Sequence, residues 1–220
     1  MMKKKFAVLA YPLLAIAWIS LIHQSCTRQN LCNCDADLMD SRDNQIYEVT
    51  PYDGLCWMKE NLRYVPSANQ GERFCYDDKP ECDTYGGLYT WATATQENNG
   101  IGVRGICPEG WRLPTKEEVE KLTKLSQEEL TAVCPANNES IFSISFAGYR
   151  TAGQGTYKGQ IKDNNCGSDL HTYFHTSNID SDTSSYFLSI GRQEGKAGTS
   201  TQVATRKKGT ANSIRCVCEI

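Results

Sequence analysis

In the segment 41–62, SRDNQIYEVTPYDGLCWMKENL, Ile46, Glu48 and Thr50 alternate with Tyr47 and Val49. Alternation of period two puts successive side chains on opposite faces, so the segment predicts a strand, a Tyr-Asp-Gly turn, and a second short strand entering Trp57-Met58. The pattern changes at 105–119, GICPEGWRLPTKEEV, where Trp111 and Leu113 supply core and Pro114-Thr115 turns an extended run into a helix. Thr115 with Glu118 is a capping box, in which each side chain satisfies a backbone N–H left unpaired at the helix start. Val119, Leu122 and Leu125 then share one face. Ser126 with Glu129 starts a second helix, whose stripe continues through Leu130 and Val133 until Cys134-Pro135 stops it. On this reading the rest of the chain is organised around residues 105–119.

Period two returns in the C-terminal third, which reads as strands: IFSISFAGYR, YFHTSN, SYFLSIGR and SIRCVCEI. Phe142, Ile144 and Phe146 alternate with serines, as a half-buried strand should. The glycine- and serine-rich runs 151–168 and 194–212 read as long connections. Before the helices, Gly86-Gly87 allows a close backbone approach, and residues 88–94 predict a strand or short helix packed beneath Trp91. Glu60-Asn61 could be taken for a calcium pair, but polar residues beside a buried tryptophan more commonly hydrogen-bond backbone at a chain reversal. There is no internal repeat.

The N-terminus has another character. Lys3-Lys4-Lys5 precede an uncharged run at 6–22, the form of an export signal over residues 1–25. A permanent membrane span is the alternative, but the run is short for one, contains Pro12 and has no basic stop. LIHQSC at 21–26 resembles a bacterial lipoprotein signal, in which Cys26 becomes the lipidated first residue; simple secretion is the other option. The usual leucine three positions before the cysteine is replaced by His23. Residues 26–39 then predict a polar tether, pinned to a domain at 40–220 by Cys32 and Cys34. The expected address is outside the cytoplasm, on the outer membrane through a lipid anchor, facing either the periplasm or the surface.

Charge and cysteines sharpen this picture. The net charge of −3 over 220 residues falls to −6 when the three leader lysines leave, which argues against nucleic acid or an anionic bilayer as partner. Eleven cysteines in an exported chain point to disulfides, and consumption of Cys26 by lipid would leave an even number. Metal binding is the rival. The two C-x-C pairs, the absence of C-x-x-C, and histidines only at 23, 171 and 175 do not give zinc spacing. Asp77, Asp78, Glu81 and Asp83, between and beside Cys75 and Cys82, do not follow an EF-hand pattern and read as a solvated loop. His171 and His175 lie in a β-rich run, where they would be distant neighbours on one face rather than joint ligands.

No HExxH, GxSxG or phosphate-cradling loop occurs, so no catalytic residue, metal or cofactor is assigned. Tyrosines beside polar loops suit a binding surface, or else pack strand edges. The binding candidates are Tyr157, Tyr173, His175 and Tyr186, with Tyr149 nearby.

Six motifs in order, SRDNQIYEV, CWMKENL, CYDDKPECDTYGGLYTW, GICPEGWRLPT, FAGYR and IRCV, resemble the Fibrobacter succinogenes major paralogous domain family of exported, often lipidated bacterial proteins. The resemblance implies an α+β fold of the C-type lectin-like group. That fold has two helices, a pair of small antiparallel sheets, terminal strands side by side, long loops and disulfide bracing. It also implies a local Cys75–Cys82 bridge and a long Cys107–Cys216 bridge. The chain departs from the family at His175-Thr176-Ser177, where Trp-Ser-Ser is usual. Calcium-sugar signatures of true lectins are missing, and so are the paired catalytic cysteines of the formylglycine-generating enzymes. Of the remaining cysteines, we expect Cys134 with Cys166, and Cys32 or Cys34 with Cys56 and Cys218. The expected function is a cell-envelope lipoprotein whose loops bind a glycan or protein. The alternatives are a structural component of a cell-surface or fimbrial assembly and, third, an enzyme.

Overall fold

Residues 210–218 are buried without a break, the longest such run among the described residues. A strand with one wet face would alternate, so this run must be covered on both sides. The computed structural model describes residues 32–79, 82–131, 140–160, 170–192 and 199–220. The leader, Cys26, Cys134 and Cys166 therefore lie outside the described residues.

The first strands, β1 (Leu38–Asp40) and β2 (Gln45–Tyr47), form a hairpin. Next, β3 (Val49–Tyr52) and β4 (Leu55–Met58) pair across the predicted turn, where Asp53 and Gly54 both take positive φ. The last strand, β10 (Val217–Glu219), lies antiparallel on the other edge of β4, with Cys218 opposite Cys56. The largest sheet contains β5 (Ala147–Arg150), β6 (Tyr157–Gln160), β7 (Leu170–Ile179), β8 (Ser184–Arg192) and β9 (Ser200–Lys207) in the order β6-β5-β7-β8-β9. All its pairings are antiparallel except β5 with β7. The helices are short: α1 (Cys82–Tyr85), α2 (Trp91–Thr95), α3 (Lys116–Leu122) and α4 (Gln127–Leu130).

This architecture overturns the expected fold class. The described chain is mostly β, with ten strands in three sheets, a five-stranded mixed sheet among them, and its helices are four short ones rather than two. It is not the α+β C-type lectin-like arrangement. Two strands lie in runs whose composition predicts connections. β9 lies inside 194–212 and is held by backbone pairing along the whole of β8, from Ser184 with Lys207 to Gly191 with Ser200. Its exposed edge carries polar residues, and only Val203 reaches the core. β6 lies inside 151–168, where Gly159 takes φ +79 and a Cβ would fall 2.9 Å from that of His171. Conversely, 141–146 is not a strand despite its alternation. Ser143 has φ 46, which breaks the extended run, so regular pairing begins only at Ala147.

The helix signals describe local structure well. Thr115 and Ser126 each make both halves of a capping box, with Glu118 and Glu129. Glu118 does more than cap: Arg112 donates to both its oxygens, at 2.9 and 2.6 Å, and to Glu219 at 2.9 and 2.7 Å. Hydrogen bonding to the Arg112 guanidinium and the Thr115 backbone outweighs burial and holds the Glu118 carboxyl below its ordinary range.

Residues 210–218 thread between these parts. Ala211 bridges Arg150, Asn212 bridges Tyr89, Ser213 bridges Phe174 and Val217 bridges Arg112. Ile214, Cys216 and Cys218 enter one core with Tyr47, Tyr89, Trp111 and Leu113, while Val217 enters the other with Trp57, Phe142, Phe174 and Leu188. Disulfides fix this thread at Cys107–Cys216 and Cys32–Cys218, and Cys34–Cys56 and Cys75–Cys82 complete the set among the described residues.

The Cys107–Cys216 bond closes a separation of 109 residues. A loop of that length restricts the unfolded chain by about 4.7 kcal/mol on the loop-entropy estimate. Replacing both cysteines with serine should therefore lower the free energy of urea unfolding by about 4 to 5 kcal/mol. A loss under about 1 kcal/mol would show that the segment is held without it.

Candidate functional site

Arg215 stands at a position where the alternation of the terminal segment calls for an apolar residue. Its neighbours in register, Ile214, Cys216 and Val217, are fully buried, and Arg215 itself is only 3% exposed. Burying a guanidinium costs several kcal/mol unless paired. Here the partners are neutral: Nε donates to Asn61 Oδ1 at 2.9 Å, Nη1 to the carbonyls of Met58 (3.5 Å) and Phe142, and Nη2 to the Ser143 carbonyl at 3.4 Å. Phe174 lies 5.1 Å beneath the guanidinium. Five N–H groups meet four acceptors, so one Nη2 hydrogen has no partner among the described residues. Nor does any described carboxylate form an ion pair with Arg215. Burial pushes its pKa down to about 9, opposed only by the field of Glu60, so it remains charged at neutral pH.

Arg215 lines a cleft of about 300 Å³, at the small end of the usual range for ligand pockets. Asn61, Thr84, Tyr85, Gly86, Ser143 and Ser145 contribute polar walls, and Glu48, Lys59, Glu60 and Arg63 also line it. These last four neutralise one another: Lys59 Nζ lies 3.1 Å from Glu48, and Arg63 Nη1 lies 3.1 Å from Glu60. The cleft therefore carries one cationic group without a counter-charge. Asn61 fixes the wall, donating to the Tyr85 carbonyl at 2.8 Å while accepting from Arg215. The Glu60-Asn61 pair thus bonds backbone, Glu60 accepting from the Glu48 N–H at 3.0 Å. Gly86 is required there, since at φ +80 its Cβ would lie 2.4 Å from that of Asn61.

The four aromatic candidates are not brought together. His175 is buried, its Nε2 lying 2.7 Å from the Tyr89 carbonyl and its Nδ1 without a partner. Tyr173 is also buried, its ring beneath Arg206 at 4.2 Å and 4.7 Å from Tyr149. Neither offers a ring face to a ligand, because alternation turns both toward the side of β7 covered by Tyr89, Tyr149 and Arg206. Tyr157 lies on the edge strand β6, donating to Asp78 at 2.5 Å beside Tyr76. Burial first, then Asp78, pushes its phenol up to about 12. Tyr186 belongs to the opposite face, with Lys116 Nζ 4.6 Å from its ring centre. Among the described residues no group of three or more His, Cys, Asp or Glu could hold a metal. No described helix is long and apolar enough to cross a membrane.

Sequence reading thus missed the cleft. Its signal was available in the terminal SIRCVCEI, where a charged residue interrupts an otherwise apolar run. The segment bordering the cleft, 141–146, has the alternation of a strand, and that pattern conceals the turn at Ser143.

A mostly β scaffold, clamped by disulfides around a buried terminal segment and opened by a polar cleft at Arg215, defines the class of protein. The sequence profile of the Fibrobacter succinogenes major domain family matches residues 51–218, from the β3 hairpin to the final strand. The chain belongs to that family. No curated protein and no solved structure matches it.

His175 provides a pH test of this packing. Burial holds its imidazole near 4 against an ordinary 6.5, with the Tyr89 carbonyl opposing. The unfolded chain therefore takes up the proton first as pH falls, so stability should be flat above about pH 6.5 and drop by about 2 kcal/mol down to pH 4.5. His175→Gln, which keeps a donor for Tyr89, should abolish that part of the loss in urea titrations. An unchanged slope would place the titration elsewhere.

Proposed function

We propose that the protein is an exported cell-envelope lipoprotein, held by a lipid on Cys26, whose domain binds a glycan or protein ligand. The observation that supports binding is the cleft at Arg215, where a buried cation without a carboxylate partner among the described residues lines a space walled by hydroxyls and an amide. Natural chains break the rule of polar satisfaction mostly at functional or strained sites, so a buried cation without a counter-charge beside a cleft supports recognition. Support for the address comes from the leader and the cysteine-rich composition. In this reading the chain leads from the lipid on Cys26 into a segment tied to the domain at Cys32 and Cys34.

A second reading, a structural component of a surface assembly, draws on the β1–β2 hairpin. Met39 and Ile46 face each other across it and are 61% and 57% exposed. Exposed apolar pairs on a hairpin suit contact with another chain.

Two measurements test the proposal. Cys26→Ala should move the protein from the membrane to the soluble fraction, and an unchanged membrane fraction would remove the lipid anchor. On a glycan array and against envelope extracts, the mature protein should retain at least one ligand. Absence of any ligand, together with co-purification in a polymer, would favour the assembly reading.

A further inference from the structure

Resting on the ligand-binding reading, we propose that the cleft is specific for a carboxylate-bearing sugar, whose carboxylate accepts from Arg215 Nη2 while its hydroxyls bond Thr84, Ser143 and Ser145. Three observations lead there. The first is the missing counter-charge: Arg215 has no carboxylate partner among the described residues, whereas Lys59 with Glu48 and Arg63 with Glu60 are satisfied. Arg63 is further committed through Nε to Gln45 at 2.6 Å and Nη2 to the Ile46 carbonyl at 2.7 Å, so it cannot turn to serve the ligand. The second is the lining. Apart from Tyr85 it is made of hydroxyls, an amide, a glycine and charged groups, which suits a polyol better than an apolar side chain. The third is size: about 300 Å³ holds a ligand of single-sugar dimensions rather than a folded partner.

The charge arithmetic explains why the ligand should be an anion. A neutral sugar would leave the guanidinium as it is, with four neutral acceptors. A carboxylate supplies the absent counter-charge in a setting of reduced dielectric, where a charge-assisted hydrogen bond is stronger than a neutral one. A free carboxylate without hydroxyls would satisfy Arg215 but leave the serine and threonine walls to water. An acidic sugar satisfies both.

The experiment is titration of D-glucuronate, D-glucose and acetate into the mature, disulfide-bonded protein, read by calorimetry and by NMR shifts of the cleft residues. Arg215→Met would leave three buried main-chain carbonyls without their donor, so a loss of binding in it would not separate charge from packing. Ser143→Asp is therefore the informative variant, since Ser143 already takes a left-handed φ of 46 that aspartate tolerates and its carbonyl accepts from Arg215. Expected is binding of glucuronate about 10- to 100-fold tighter than of glucose or acetate, shifts confined to the cleft, and loss of glucuronate binding in Ser143→Asp with an unchanged or raised melting temperature. Equal binding of glucose and glucuronate in the cleft would overturn the charge requirement while leaving the ligand-binding reading in place. Equal binding of acetate would overturn the sugar. No shift with any of the three would overturn the inference, and the array and extract screen decides the broader reading separately.

Discussion

The structure depends on burial of one short stretch of backbone, residues 210–218, between two cores. Each residue of that stretch must find partners for its peptide groups without water, and it does so by bridging β5, the Tyr89 segment, β7 and the Arg112 segment in turn. Leu62 and Met58 donate to the carbonyls of Ile214 and Cys216, and Cys32 donates to Glu219. No sheet runs through the whole domain. The terminal thread supplies the continuity, and two disulfides hold it against the N-terminal segment and the Trp111 loop.

That constraint also makes the cleft. Side chains at 214, 216 and 218 fill one core, so those at 215 and 217 are forced toward the other. Val217 fits there. Arg215 does not, and the fold accommodates it with carbonyls from Met58, Phe142 and Ser143 instead of a carboxylate. The left-handed turn at Ser143 aims one of those carbonyls, and Asn61 aims the wall. A polar opening beside the core follows from placing one cation on the wrong side of an apolar alternation.

Much of the local structure was legible in the sequence. Both capping boxes, the β3–β4 hairpin and its turn, and the strand character of residues 173–178 and 185–192 follow from side-chain periods and backbone chemistry. The family followed from six ordered motifs. The fold class did not, because β6 and β9 are edge strands stabilised by backbone pairing with the preceding strands β5 and β8 rather than by an apolar face of their own. Thr201, Val203 and Thr205 do alternate in β9, a β-branched signal masked by the surrounding glycines, serines and lysines. Burial of two of the aromatic candidates was not legible for a related reason: Tyr173 and His175 sit in a strand that is covered on both faces, which no local pattern reveals. The sequence pattern points to residues 105–119 as the organising segment. In the structure that segment is one of several partners of the terminal thread.

The most direct test is peptide mapping of the mature protein under non-reducing conditions. The account predicts that Cys216 is recovered with Cys107 and Cys218 with Cys32, which places the terminal thread between the N-terminal segment and the Trp111 loop. Recovery of Cys216 or Cys218 as a free thiol, or bonded to any other cysteine, would contradict it, since Arg215 would then have no fixed place on the floor of the cleft.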